Sequence, residues 1–491
     1  MSLIPSSPAD TVSEQARSIK DDHSRNFSLD LLRGLALMGL LILSIREFGG
    51  FTTNQQHFFS PLIHGGNYKL MRSISILFEG KMTALLAMVF GAGLLLFMQK
   101  KEHPSPLSSP DVWIRHMIWL LVFGVFNAFV LLWPGDILFQ LGVMGILLFA
   151  FWRIRSRAFL FAALLCTLVY CGKQYWNYME DKEDYKKYSA VMEVEKKFKQ
   201  DSTDRAIKVS LSIEKFIPVQ ININDSLAKK KDTLTKKQGE QKGKWEGMVK
   251  GLKYDSVAGA AENKAMRSSS YGKIWAHFMQ RAQMRESSWL YQTGVWELGA
   301  MMFLGMFLLG IGFFNNRFTG SAYFLVAALT LLTGFLLSWY RIHFNNLKLY
   351  DYAQYISKQA VSPAQFVPAE IMLLATGYAS LLMLMLRAKF LRWLWQAIAA
   401  AGKLALTGYI TQTIICTFFF YGYGFGYFGR LTQLQLYFIG AEIWLVQIVF
   451  AVFWLRYYTM GPIEWLWRCM VYRKKLPWKI SKNAIPEQNE N

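Results

Sequence analysis

Three side chains have the chemistry to move a proton. His57 and His64 lie in the polar stretch after the first long apolar run, and Asp136 closes the turn Trp133-Pro134-Gly135-Asp136 between two later runs. A histidine titrates near neutral pH and can act as a general base. The spacing of seven between the two histidines is no metal-ligand pattern, so each is either a base or a loop-packing side chain. Asp136 heads an apolar run, where the helix dipole favours a negative charge; capping and catalysis both suit it.

A second set of residues could hold an anionic group. Asp30 and Arg33 are three apart and share a helix face, so they can pair. They are either an interfacial ion pair that fixes the depth of the helix or an anion site, since the arginine fork donates two hydrogen bonds to a phosphate. Glu79 and Lys81 flank Gly80 where another apolar run begins; two charges entering a bilayer together must be paired or wet. Lys403 stands in Gly402-Lys403-Leu404. Glu297 and Glu370 head other runs in the manner of Asp136, and Glu442 lies deeper, within reach of Gln447.

The elements that would position these groups are transmembrane helices. Ten apolar runs recur at about 28–48, 82–99, 113–133, 137–153, 158–172, 295–314, 320–341, 367–386, 404–421 and 435–455, near the roughly 20 residues of helix that a bilayer requires. The expected fold is therefore an all-α polytopic bundle. Short loops on one side carry Lys100, Lys101, Arg115, Arg153, Arg155, Arg157, Arg317, Arg387, Lys389 and Arg392, whereas the short connections 134–136 and 422–434 carry only Arg430. The positive-inside rule then places both termini in the cytoplasm. The expected division is a cytoplasmic tail (1–26), an N-terminal membrane bundle (27–172), an insertion (173–294), a C-terminal membrane bundle (295–458), and an amphipathic helix with a basic tail (459–491). The insertion is rich in Lys and Glu, has helical patterning around Tyr185–Phe198, and is expected to be mostly helical and extracytoplasmic, as a flexible insertion or a lid over a substrate.

The net charge of +21 resides largely in short loops and tails, and no zinc-finger spacing or RNA-binding aromatic signature accompanies it, so nucleic-acid binding is not expected. The four cysteines, Cys166, Cys171, Cys416 and Cys469, form neither a disulfide framework nor a metal pattern. Phe90-Gly91-Ala92-Gly93 offers a surface for close helix approach. Ser28 is a candidate helix cap. Tyr421-Gly422-Tyr423-Gly424-Phe425-Gly426 reads as a tight aromatic turn. Pro462-Ile463-Glu464-Trp465-Leu466-Trp467-Arg468 reads as a surface helix, anchored by its tryptophans and carrying a Glu464–Arg468 pair.

Together, Leu29-Asp30-Leu31-Leu32-Arg33-Gly34, Phe90-Gly91-Ala92-Gly93, Gly135-Asp136-Ile137-Leu138, Gly402-Lys403-Leu404-Ala405-Leu406-Thr407 and the block from Gly461 to Arg468 resemble the YeiB-like family of bacterial inner-membrane proteins, whose function is unknown. The Asp-x-x-Arg-Gly opening is also similar to a wider group of transmembrane acyltransferases that includes the lysosomal heparan glucosaminide acetyltransferase. That resemblance implies acyl-CoA as a cytoplasmic donor substrate and no metal. It also implies an envelope sugar, lipid or polymer as acceptor, with Arg33 holding the donor and His57 or His64 activating the acceptor. The expected setting is the bacterial inner membrane, with the lipid bilayer and a second copy of the chain as partners. Two other functions fit the same residues: a small-molecule transporter or exporter, and a non-catalytic scaffold.

Overall fold

A computed structural model describes residues 26–50, 66–99, 109–214, 234–253 and 255–480. His57 and His64 lie outside the described residues. In chain order the α-helices are α1 (Phe27–Phe48), α2 (Gly66–Phe78), α3 (Lys81–Gln99), α4 (Ser109–Val125), α5 (Leu138–Phe149), α6 (Ser156–Glu214), α7 (Lys236–Leu252), α8 (Ser256–Met266), α9 (Tyr271–Met284), α10 (Val295–Gly310), α11 (Gly320–Tyr350), α12 (Tyr352–Lys358), α13 (Val367–Arg387), α14 (Arg392–Lys403), α15 (Ala405–Phe420), α16 (Gln433–Trp454) and α17 (Pro462–Tyr472). The chain is all-α. Eight described helices are long and apolar enough to cross a membrane, a ninth crossing arises if the bent pair α14–α15 is one span, and α5 is a shorter apolar helix. It is a membrane protein, and each apolar run expected from the sequence coincides with one of these helices.

The two ends of the bundle are easily told apart. At the near end, where α1 starts, Asn26 Nδ2 donates to Asn315 Oδ1 (2.7 Å) and Trp467 Nε1 donates to the carbonyl of His116 (3.2 Å). At the far end, where α1 finishes, the Gly429 amide donates to the Gly49 carbonyl (2.8 Å) and Tyr421 Oη to that of Leu132 (3.2 Å). Asn26, rather than Ser28, caps α1, its side chain accepting from the Ser28 amide; Ser28 is two residues too late and already has helical backbone.

Small residues set the closest helix contacts. A Cβ on Gly91 of α3 would lie 2.1 Å from the Met302 carbonyl oxygen, and one on Gly305 of α10 would lie 1.9 Å from that of Met88. The same reciprocal pattern joins α1 to α14: Gly34 faces the Ile398 carbonyl (2.3 Å) and Gly402 that of Asp30 (1.8 Å). Backbones in lipid associate through this kind of contact, because no hydrophobic force separates helix from tail. Gly93 has nothing within 4 Å, so Gly91 alone carries the approach that the Gly-Ala-Gly sequence suggested.

The insertion is mostly helical, but it is continuous with the bundle. Beyond its apolar first part, α6 runs on to Glu214 and pairs with α7, where Lys244 pairs with Asp184 (2.6 Å), while Trp245 of α7 stacks on Tyr352 of α12 (5.4 Å, 12°). The remainder, α8 and α9, lies over the far end: the Gly422 amide donates to the Met266 carbonyl (2.9 Å), Arg267 Nε to that of Phe428 (2.7 Å), and Tyr271 Oη to that of Val130 (2.7 Å). α9 then passes through a π-helical stretch, Arg285–Gly294, straight into α10.

Candidate functional site

Polar groups from several elements meet beneath α9 at the far end. The turn before α5 supplies Asp136, whose Oδ1 accepts from Asn127 Nδ2 (2.8 Å) and whose Oδ2 accepts from the Phe139 amide (2.9 Å), capping α5. Asn127 belongs to the π-helical turn that ends α4. From α15, Tyr409 Oη accepts from the Ile137 amide (3.2 Å). Asp136, Asn127 and Gln140 are each no more than 1% exposed. Arg285 interacts electrostatically with Glu297, Glu47, Tyr409 and Asp136, and Glu286 with Asp136. Glu47 interacts in turn with Arg285, Arg46 and Arg281. Glu47 is exposed to solvent, and Arg285 and Glu297 are partly so. These groups therefore form one polar cluster, the chamber of the bundle, with solvent at its Glu47 edge and a dry floor at Asp136, Asn127 and Gln140.

The chamber contains polar atoms without partners. Both amide atoms of Gln140, Asn127 Oδ1, Arg285 Nε, Glu286 Oε1 and Arg46 Nε have no hydrogen-bond partner among the described residues. Leaving a buried polar atom unmade costs about 1–3 kcal/mol, and unpaired groups of this kind cluster where water or a ligand completes them. The walls are aromatic: Phe48 stacks on Trp133 (3.9 Å), and Phe278 and Tyr421 close the side towards α9 (5.4 Å). Asp136 lies in the turn between α4 and α5, outside both apolar helices. Burial pushes its carboxyl up to about 7, against the opposing hydrogen bonds from Phe139 and Asn127. That is the range in which a general base works best at neutral pH. Among the described residues no group of three His, Cys, Asp or Glu could hold a metal ion.

The remaining residues singled out from the sequence fall into two other places. At the near end Arg33 Nη1 donates to Asp30 Oδ1 (2.7 Å), and the contact of Gly402 with the Asp30 carbonyl brings Lys403 to the same end. Glu79 and Lys81 do not join them. Lys81 Nζ donates to Glu370 Oε1 (2.6 Å), Arg341 Nε donates to Glu370 Oε2 (2.9 Å), Ser338 donates to the same carboxylate (2.5 Å), and Arg341 also faces Glu79 (3.6 Å). Two cations and two carboxylates neutralise one another there. Glu442 is exposed on α16, and Gln447 instead donates to the Gly408 carbonyl (2.9 Å) and accepts from Gln412 (2.8 Å). Glu464 turns into the protein and accepts from the Leu406 and Thr407 amides (2.8 and 3.0 Å). The indoles of Trp465 and Trp467 likewise donate to protein carbonyls, those of Leu476 and His116.

The sequence reading singled out Asp136 and Glu297 of the chamber but passed over Tyr409, Arg281, Arg285, Glu286, Asn127 and Gln140. The available signal was polarity out of place: an amide inside each of two apolar runs, and an Arg-Glu pair just ahead of a third.

Residues 308–474 match the family described as protein of unknown function DUF418. The chain is 25% identical over 476 residues to the uncharacterized protein YeiB of Escherichia coli strain K12, covering 94% of this chain and 99% of that one. It is 23% identical over 456 residues to the uncharacterized protein YxaH of Bacillus subtilis strain 168, covering 90% and 93%. An uncharacterized 39.9 kDa protein in the amylase 3′ region of Bacillus acidopullulyticus is 38% identical over 112 residues, 23% of this chain and 32% of that one. No solved structure matches.

Proposed function

From its place in the YeiB-like family and the chamber described above, we propose that this protein is an integral membrane acyltransferase. It moves an acyl group from acyl-CoA at the near end to a hydroxyl or amine of an envelope sugar, lipid or polymer at the far end. Asp136 takes the proton from the acceptor, whose oxygen or nitrogen attacks the acyl carbonyl; the carbon–sulfur bond breaks, and the coenzyme A thiolate leaves and is protonated by water. Arg285 and Arg46 face the developing negative charge, while Arg33 and Lys403 hold donor phosphates. The observation carrying this reading is the convergence of Asp136, Glu47, Glu286, Glu297 and the arginines on one under-satisfied polar chamber. In this reading the near end is cytoplasmic, both termini are inside, and the membrane is the bacterial inner membrane. Arg317, Arg387, Lys389, Arg392, Arg456, Arg473 and Lys475 flank the near ends of their helices, in keeping with the positive-inside rule.

Purified protein in liposomes, given radiolabelled acetyl-CoA on the near side and an envelope sugar extract on the far side, should transfer label. Asp136→Asn should lower transfer by about 10²–10⁴-fold, the usual worth of a general base. Equal transfer by wild type and variant would end the proposal. Export of a small polar molecule is the second reading, favoured by the 79° bend between α14 and α15, since carriers place substrates at discontinuous helices. Uptake of a polar solute into the same liposomes without acyl-CoA would select it.

A further inference from the structure

A second site lies on the bundle surface, remote from the chamber. A groove of about 460 Å³ runs between α6, α10, α11 and α13, lined by side chains such as Leu164, Leu304, Leu308, Val326, Met372 and Leu373. Its few polar atoms are already satisfied: Thr167 Oγ1 donates to the Ala163 carbonyl (2.9 Å), Thr330 to Val326 (2.7 Å), Thr376 to Met372 (2.7 Å), and Tyr323 Oη to Phe313 (2.5 Å). Thr330 and Thr376 thus have their hydroxyls turned back on their own helices, and Thr167 also reaches Met372 Sδ (3.3 Å). The rims are bare apolar surface, with Phe161 68% and Phe324 62% exposed. In an aqueous protein so large an apolar face would require a partner; on membrane-length helices it faces hydrocarbon.

The near end of the groove is different. It finishes at Ile311, Phe313 and Phe318, and two arginines stand there. Arg387 Nη1 donates to the Phe318 carbonyl (2.6 Å) and towards Asn316 Oδ1 (3.4 Å). Arg317 folds over Gly312, its Cδ 2.4 Å from where a Cβ would be. Both side chains are exposed, and neither meets a carboxylate among the described residues. An apolar groove ending in two uncompensated guanidinium groups complements an amphiphile with an anionic head.

We propose that this groove binds an anionic phospholipid of the surrounding bilayer, one acyl chain lying between α6 and α11 and the phosphate between Arg317 and Arg387. Arginines at a membrane surface favour anionic lipid, and a tenfold preference corresponds to about 1.4 kcal/mol. The full chain in detergent, titrated with phosphatidylglycerol or phosphatidylcholine of identical chains and followed by native mass spectrometry, should retain the former about tenfold more tightly. The double variant Arg317→Gln/Arg387→Gln should abolish that preference and still retain phosphatidylcholine. Val326→Trp, which fills the groove, should reduce retention of both lipids. Equal retention of the two lipids by wild type, a preference that survives the arginine substitutions, or unchanged retention with Val326→Trp would each overturn the proposal. The arginine variant alters only exposed side chains, so it decides the matter even if Val326→Trp does not fold.

Discussion

Lys81 and Glu370, 289 positions apart in the chain, meet at 2.6 Å with side chains 0% and 1% exposed. The pair is not symmetric in its support. Glu370 also accepts from Arg341 and Ser338, whereas the Lys81 ammonium has, besides Glu370, only the Ser75 carbonyl at 3.4 Å among the described residues. Removing the lysine leaves the carboxylate paired with Arg341; removing the carboxylate leaves two buried or half-buried cations facing each other. Breaking a buried ion pair by deleting one partner costs about 3–5 kcal/mol. Glu370→Ala should therefore reach that range, and Lys81→Ala should cost less. Thermal unfolding of the detergent-solubilised variants orders them, and a larger loss for Lys81→Ala would contradict this account of the network.

Gly402 and Gly93 provide a contrast within one fold. A methyl group at Gly402 would lie 1.8 Å from the Asp30 carbonyl oxygen, a backbone atom that cannot rotate away, whereas at Gly93 it would meet nothing within 4 Å. Overpacking of this kind costs about 1–3 kcal/mol, while glycine to alanine in an unobstructed helix stabilises by roughly 0.5–1 kcal/mol. Gly402→Ala should lower the unfolding midpoint and Gly93→Ala should raise it slightly. Equal shifts would mean that α1 and α14 are not held by this contact.

Asp136 should give the protein a characteristic pH response. Its folded-state pKa, raised by burial to about 7, lies above its ordinary carboxylate value. The folded chain therefore holds a proton that the unfolded chain has already lost, from about pH 4 to about 7. Its contribution to stability is full below that window and declines as pH rises through it. In Asp136→Asn that part of the decline should vanish. Transfer activity has the opposite sign, because the base must be ionised: kcat/KM should climb with pH and level off above about 7. A flat activity profile across this range would remove Asp136 from the role of base.

The membrane helices were legible because hydropathy is a local property: twenty consecutive residues carry the whole signal. Partnerships among charges were not. Glu79 and Lys81 were expected to hold a substrate, but Arg341, which satisfies Glu79 and competes for the carboxylate that holds Lys81, lies at the end of a different apolar run. Arg285 and Glu286 looked like ordinary charges at the margin of a hydrophilic insertion, because nothing local shows that α9 continues unbroken into α10. The chamber is assembled by that continuity, which brings Arg285 to Asp136 and Glu47. The amide side chains of Asn127 and Gln140 were visible as polar interruptions, though no spacing tied them to one another or to Asp136.

Glu464 offers a graded test of the near end. Its Oε1 accepts from both the Leu406 and Thr407 amides, at 2.8 and 3.0 Å, and its Oε2 accepts from the Thr407 hydroxyl, which in turn accepts from the Ile463 amide at 3.1 Å. One carboxylate thus caps α15 just after its bend and ties it to α17, with the negative charge at a helix start, where the dipole favours it. Glu464→Ala strips those donors and should cost about 2–4 kcal/mol, more than a simple cap because the hydrogen bonds are to a charged group. Glu464→Gln keeps one carbonyl oxygen for the two amides. Its NH₂ must face a Thr407 oxygen that already accepts from Ile463, so an intermediate loss of about 1–2 kcal/mol is expected. Unfolding midpoints should fall in the order wild type, Gln, Ala. If Gln and Ala lost equal stability, the charge rather than the cap geometry would be what joins α17 to α15.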